Sequence, residues 1–195
     1  DMLEHNVPDW YVWSCEKIQY MFPKAHAAAY VMMGWRIAYC KINYPLAYYC
    51  AFFSIRASAF SYETMCLGRE HLEDYKRRSD SLSNKEQDAV KDMRIVQEMY
   101  ARGFEFEPID IFRAHSRNFQ IVNGKVMPSL NSIEGLGEKA ADAIMEAAKD
   151  GPFLSKDDFR SRTKVSKTVI DLMADLGLLG DIPESNQISL FDLVG

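Results

Sequence analysis

The sequence predicts a mainly α protein: a helical first region, a small β-hairpin element, a tandem pair of short helical hairpins and a flexible C-terminal tail. Three observations lead there. Apolar runs of helical length follow Pro23 and Pro45, each proline standing where it suits a first helical turn. Beyond Gly103 the period shortens to alternation around an Asn123-Gly124 turn. Between Ser132 and Gly180 a glycine-punctuated helical pattern occurs twice, offset by 29 residues. The expected regions are therefore 1–103 (helical), 104–131 (β element and linker), 132–180 (paired helical hairpins) and 181–195 (tail).

Within the first region, Ala25 to Cys40 is apolar and aromatic and is expected to be a buried helix despite Arg36. A polar helix to about Arg78 precedes the loop Ser79-Asp80-Ser81-Leu82-Ser83. Asn84 with Gln87 has the form of a capping box, and the helix it opens should stop at Gly103. Phe104 and Phe106 alternate with Glu105 and Glu107. The run Phe119 to Val122 then faces Lys125 to Met127 across the tight turn. The tail contains Pro183 and lacks a periodic core face.

A chain of 195 residues with 48% hydrophobic content can bury a core without disulfides or structural metal. Cys15, Cys40, Cys50 and Cys66 form no CxxC pair and have no histidines at zinc-finger spacing, so no metal site is expected and reduced, cytoplasmic thiols are the simplest reading. Signal-peptide and membrane-span patterns are absent. The net charge of −5 argues against a generally basic nucleic-acid binder, but the charge is unevenly spread. Lys17, Lys24, Arg36, Lys41 and Arg56 are the charged residues between Lys17 and Tyr62, with no acid among them.

Ile133-Glu134-Gly135-Leu136-Gly137-Glu138-Lys139 opening a helix with Ala140, Ala141 and Ile144 fits the helix-hairpin-helix pattern. Glycines at 135 and 137 let backbone N–H groups at a helix N-terminus approach a phosphate without β-carbons intervening. Such a hairpin grips DNA without reading its sequence. A glycine-rich turn between two ordinary helices is the competing reading. A shift of 29 residues sets Leu136 on Val165, Gly137 on Ser166, Asp142 on Asp171 and Ile144 on Met173. The second copy has Lys164 and Ser166 in place of the glycines, so it is expected to act mainly as packing partner, with Lys164 and Lys167 adding charge. The candidate DNA contacts are Gly135, Leu136, Gly137, Lys139, Lys164 and Lys167. Earlier in the chain, Phe22-Pro23-Lys24-Ala25-His26 places Lys24 and His26 in a first helical turn, where a phosphate is a natural guest and a structural role for His26 is the alternative.

The segment Tyr20-Met21-Phe22-Pro23-Lys24-Ala25-His26-Ala27-Ala28-Ala29-Tyr30 resembles the fingers signature of bacterial C-family replicative polymerases, in particular the PolC type of low-GC Gram-positive bacteria. The likeness continues through Arg36-Ile37-Ala38-Tyr39, Ile55-Arg56-Ala57-Ser58 and Gly151-Pro152-Phe153-Leu154-Ser155. The resemblance implies the C-terminal portion of such an enzyme. In that portion a fingers region meets incoming nucleotide and template through Lys24, His26, Arg36 and Arg56, and a tandem helix-hairpin-helix domain lies on duplex DNA. Gln187-Ile188-Ser189-Leu190-Phe191 matches the bacterial clamp-binding pentapeptide, with Gln187, Ser189, Leu190 and Phe191 as contacts to the sliding clamp and a frayed tail as the bland alternative.

No catalytic residue is expected in this chain: no Asp-x-Asp pair stands in a suitable strand context, and the start at Asp1 is that of a fragment. By resemblance the aspartates that hold Mg²⁺ against a deoxynucleoside triphosphate belong to a palm in the remainder of the polymerase. The expected partners are primer-template DNA, the incoming nucleotide, the clamp and that remainder, with no membrane. Two other classes account for part of the sequence. A non-catalytic DNA-binding adaptor would carry the hairpin and clamp peptide without a nucleotide site. A helix-hairpin-helix DNA glycosylase would use an acid about 20 residues past its hairpin, where Asp157 and Asp158 lie.

Overall fold

The computed structural model describes residues 1–18, 20, 22–56, 60–78 and 84–185, with the backbone alone for 75, 76, 78 and 84–91. The described chain is mainly helical with one two-stranded sheet, as the sequence predicts. It divides into two compact units, Asp1–Asn43 and Tyr44–Gly195.

The first unit holds α1 (Asp9–Lys17) and α2 (Lys24–Asn43). Helix α2 begins directly after Pro23, whose carbonyl accepts the Ala27 N–H at 3.2 Å. Its start and length follow the sequence, but its environment does not. The expected burial of Ala25 to Cys40 is corrected by the structure, which leaves every one of these residues exposed, Tyr30 at 69% and Trp35 at 74%. Apolar composition determines that a helix seeks a partner; it does not supply one.

The second unit contains α3 (Pro45–Ile55), α4 (Tyr62–Met65), α5 (Arg69–Arg78), α6 (Asn84–Ala101), β1 (Gln120–Val122), β2 (Lys125–Met127), a 3₁₀ turn (Leu130–Ser132), α7 (Glu138–Ala148), α8 (Lys156–Thr163) and α9 (Lys167–Asp175). The side chains of the expected Asn84–Gln87 capping box lie outside the described residues. Helix α6 ends as predicted: Gly103 takes φ +79°, and the N–H groups of Phe104 and Gly103 return to the Met99 and Tyr100 carbonyls. The same pair of reversed bonds closes α9 at Gly177.

Two apolar cores fill this unit. In one, the Phe53 ring lies 5.0 to 5.7 Å from Phe60, Phe106 and Phe119, with Met65, Leu72, Val96 and Met99 around them. In the other, Ile109, Met127, Leu130, Ile144, Phe159, Ile170 and Met173 pack the helical hairpins. The β-hairpin stands between them. β1 and β2 pair antiparallel, Gln120 opposite Met127, and both turn residues are left-handed, Asn123 at φ 53° and Gly124 at φ 74°. Successive side chains of β2 point to opposite faces, so Val126 enters the aromatic core and Met127 the helical-hairpin core. Phe106 is drawn in beside β2, with the Glu107 N–H donating to the Val126 carbonyl and the Val126 N–H to that of Glu105. Among the described residues no helix is long and apolar enough to cross a membrane.

Candidate nucleic-acid interface

The two helical hairpins repeat in backbone geometry, not only in residue type. Gly135 and Lys164 are both left-handed, at φ 75° and 59°. Gly137 and Ser166 are both N-caps, at φ −71°, ψ 161° and φ −67°, ψ 150°. The carbonyls of Gly137 and Ser166 accept the Ala141 and Ile170 N–H groups at 3.0 and 3.1 Å. Leu136 and Val165, the middle residues of the two turns, are buried, as are Ile144 and Met173 one helical face later.

The turns differ in what they offer outward. Ser166 caps α9 with its own hydroxyl, which accepts the Val169 N–H at 3.4 Å. Gly137 has no side chain to do this, so the first-turn N–H groups of α7 face outward without a side-chain cap. A β-carbon at Gly137 would meet nothing within 4 Å, and that open surface is what a phosphate needs. Gly135 has a different task. Its left-handed backbone disfavours any β-carbon, and one built there would lie 3.4 Å from Cγ2 of Val169 on the second hairpin. Lys139 is exposed on the first turn of α7. Lys164 is exposed at the end of α8 and Lys167 at the start of α9. Lys164 also borders a shallow depression of about 420 Å³ with Asp157, Arg160, Ser161, Val165 and Ser166.

Sequence reasoning missed Arg117. This residue lies before β1, and its guanidinium reaches back to α7, 2.6 Å from Oδ2 of Asp142 and 3.4 Å from Oε2 of Glu138. The Arg117 hydrogen bond, with a further one from Ser116, holds the Asp142 carboxyl below its ordinary pKa, and Asp142 in turn raises that of Arg117. The loop is fixed from beneath. Nδ1 of His115 accepts the N–H groups of Arg117 and Asn118 at 3.0 and 3.1 Å, and the His115 N–H donates to Oε1 of Gln120. Glu63 also reaches the first hairpin, its Oε1 accepting the Glu134 N–H at 3.1 Å. Neither contact leaves a local sequence signal, since each joins residues more than 20 positions apart.

The remaining candidates fall in both units. Lys24 is the first residue of α2, and Arg36 lies exposed on the same helix. His26 belongs to an exposed aromatic ladder: its ring stacks 4.8 Å from Phe22 and sits 4.4 Å from Tyr30, while Phe22 stacks on Tyr20. Arg56, in the second unit, ends α3, and its Nε is bound by the carboxylate of Asp92, which is 1% exposed. Gln187, Ser189, Leu190 and Phe191 lie outside the described residues. Among the described residues no cluster of three or more His, Cys, Asp or Glu side chains is placed to hold a metal ion.

These paired hairpins lie within residues 103–188, which match the family model described as helix-hairpin-helix motif. Relatives extend the likeness to nearly the whole chain. DNA polymerase III PolC-type from Streptococcus agalactiae serotype III (strain NEM316) is 47% identical over 197 aligned residues, covering 98% of this chain. The corresponding protein of Streptococcus pyogenes serotype M5 (strain Manfredo) shows the same identity and coverage. The chain is thus homologous to a segment of PolC-type DNA polymerase III. It spans 13% of the length of these relatives.

Proposed function

We propose that this chain is the C-terminal part of a bacterial replicative DNA polymerase, holding duplex DNA through its first helical hairpin and contributing contacts to incoming nucleotide and template. The observation that carries the reading is the uncapped α7 N-terminus at Gly137, set against an otherwise matching hairpin whose N-terminus is closed by Ser166. Identity of 47% to PolC-type polymerases supports assigning that grip to a replication enzyme. The first hairpin binds phosphate and the second braces it through Val169, with Lys139, Lys164 and Lys167 adding positive charge.

In this reading Lys24 approaches the nucleotide phosphates from the first turn of α2, and His26 is oriented by the rings of Phe22 and Tyr30. Arg36 and Arg56 contribute charge, the latter steadied by Asp92. The exposed apolar surface of α2 packs on the remainder of the polymerase chain. That remainder supplies the carboxylates and Mg²⁺ for nucleotidyl transfer, so the chain alone is inactive. Gln187, Ser189, Leu190 and Phe191 tether the polymerase to the sliding clamp in the cytoplasm. Of the two acids the glycosylase alternative offers, Asp158 is already engaged, its Oδ2 accepting the Leu154 N–H and lying 3.5 Å from Arg162, which leaves Asp157 alone for that chemistry.

Fluorescence anisotropy with labelled duplexes of unrelated sequence tests the DNA reading. Binding should be similar for each duplex and fall steeply with salt. No binding at low salt, or strong sequence preference, refutes it. Photocrosslinking of a nucleotide analogue to Lys24 in the complete polymerase separates the polymerase reading from a non-catalytic adaptor. Clamp capture that survives Leu190→Ala with Phe191→Ala rules out the tail as the tether.

A further inference from the structure

The first hairpin presents a chemical conflict. Its open N–H groups suit an anion, yet Glu138 occupies the first turn of α7 and Asp142 lies one turn further along the same helix. A carboxylate at that position satisfies the helix dipole in place of a phosphate and repels one that approaches. The structure assigns a counterweight to Arg117: we infer that it is a positioning residue of the DNA grip, acting through Glu138 and Asp142 by neutralising and holding them so that a phosphate can reach the α7 N-terminus. This inference rests on the DNA-binding reading above.

Three features support it. One guanidinium reaches both carboxylates, 3.4 Å from Glu138 and 2.6 Å from Asp142, so a single side chain serves the two acids nearest the α7 N-terminus. The backbone that carries Arg117 is also fixed in advance, because the Arg117 and Asn118 N–H groups are anchored on His115 and the loop continues into β1. Finally, Arg117 remains 52% exposed, so the guanidinium is reachable from solvent while it holds the two acids. In the second hairpin the Ser166 hydroxyl already takes one of the helix-start N–H groups, that of Val169.

Duplex binding by the 195-residue chain, followed by anisotropy at fixed low salt, tests the assignment, with thermal unfolding of every variant as the check on folding. Arg117→Gln should weaken binding by about two- to fivefold, the range expected for one charge at a helix terminus. Arg117→Lys, which keeps the charge, should restore most of the affinity. Adding Glu138→Gln to Arg117→Gln should also restore it, whereas adding Glu105→Gln should not. That second pair has the same net charge, but its carboxylate belongs to Lys125. Wild-type affinity in Arg117→Gln overturns the inference, as does failure of Glu138→Gln to rescue, which would mark Arg117 as a direct phosphate ligand. Equal rescue by Glu105→Gln overturns it too, by reducing the effect to overall charge. If the unmodified chain binds no duplex, the DNA reading and this inference fall together; if it binds and Arg117→Gln is silent, only the inference falls.

Discussion

Gly135 and Gly137 stand two residues apart in one turn, and a methyl group added to each should harm different properties. At Gly135 the backbone is at φ +75°, where an L side chain costs about 1–2 kcal/mol. Loss of chain freedom in the unfolded state returns about 0.4–1 kcal/mol of that for Gly→Ala. The new methyl would meet Val169 at an ordinary contact distance of 3.4 Å, which adds little. Gly135→Ala should therefore lose about 0.5–1 kcal/mol in urea unfolding. Gly137 is at φ −71° with open space around it, so alanine fits the backbone. The weaker N-cap preference of alanine and the unfolded-state gain nearly cancel, leaving stability within about 0.5 kcal/mol. The methyl would stand where the proposed phosphate contact lies. Losing one hydrogen bond to a charged group, worth about 1.5–3 kcal/mol, should reduce duplex affinity about tenfold or more. Unfolding and anisotropy on the same two variants give the comparison. Wild-type affinity in a stable Gly137→Ala refutes the phosphate grip, and unchanged stability in Gly135→Ala refutes the backbone argument.

Other outcomes follow from the same geometry. Arg162 donates to the carbonyls of Ala147, Gly151 and Pro152 and lies over the Phe153 ring at 4.4 Å; Arg162→Ala should lose about 2 kcal/mol, measured by chemical unfolding. Asp142 has a depressed pKa in the folded chain, so its contribution to stability is present above the unfolded-state value near 3.8 and is lost as pH falls through the folded value. Carboxyl NMR titration should find Asp142 titrating low, and Arg117→Gln should move it back up. Burial pushes the Cys50 thiol up to about 12 and also raises that of Cys66, while Cys40 is exposed; a thiol reagent at pH 8 should label Cys40 first and leave Cys50 and Cys66 slow, as peptide mapping would read.

The parts of this structure that depend on local spacing were legible. Asn123-Gly124 announced the β-turn, Gly103 the end of α6, and the 29-residue offset the second helical hairpin. Even the left-handed backbone of Lys164 lay in that offset, because it falls on Gly135. Contacts between distant residues were not legible. Arg56 finds Asp92 through the packing of α3 and α6, and Arg117 finds Glu138 because β1 and β2 fold the chain back. Composition also overstated the burial of α2: aromatic side chains reveal a demand for cover, and the described chain leaves that demand unmet from Lys24 to Cys40.

Strand β2 sends Val126 into one core and Met127 into the other, so both cores share a single wall. A register slip of one residue would exchange the two side chains and spoil both interiors at once. The aromatic core and the helical hairpins therefore lack a seam along which one could melt while the other stayed native. Heat should remove the helical hairpins and the aromatic core in one calorimetric transition, and hydrogen exchange along β2 should report the opening of both.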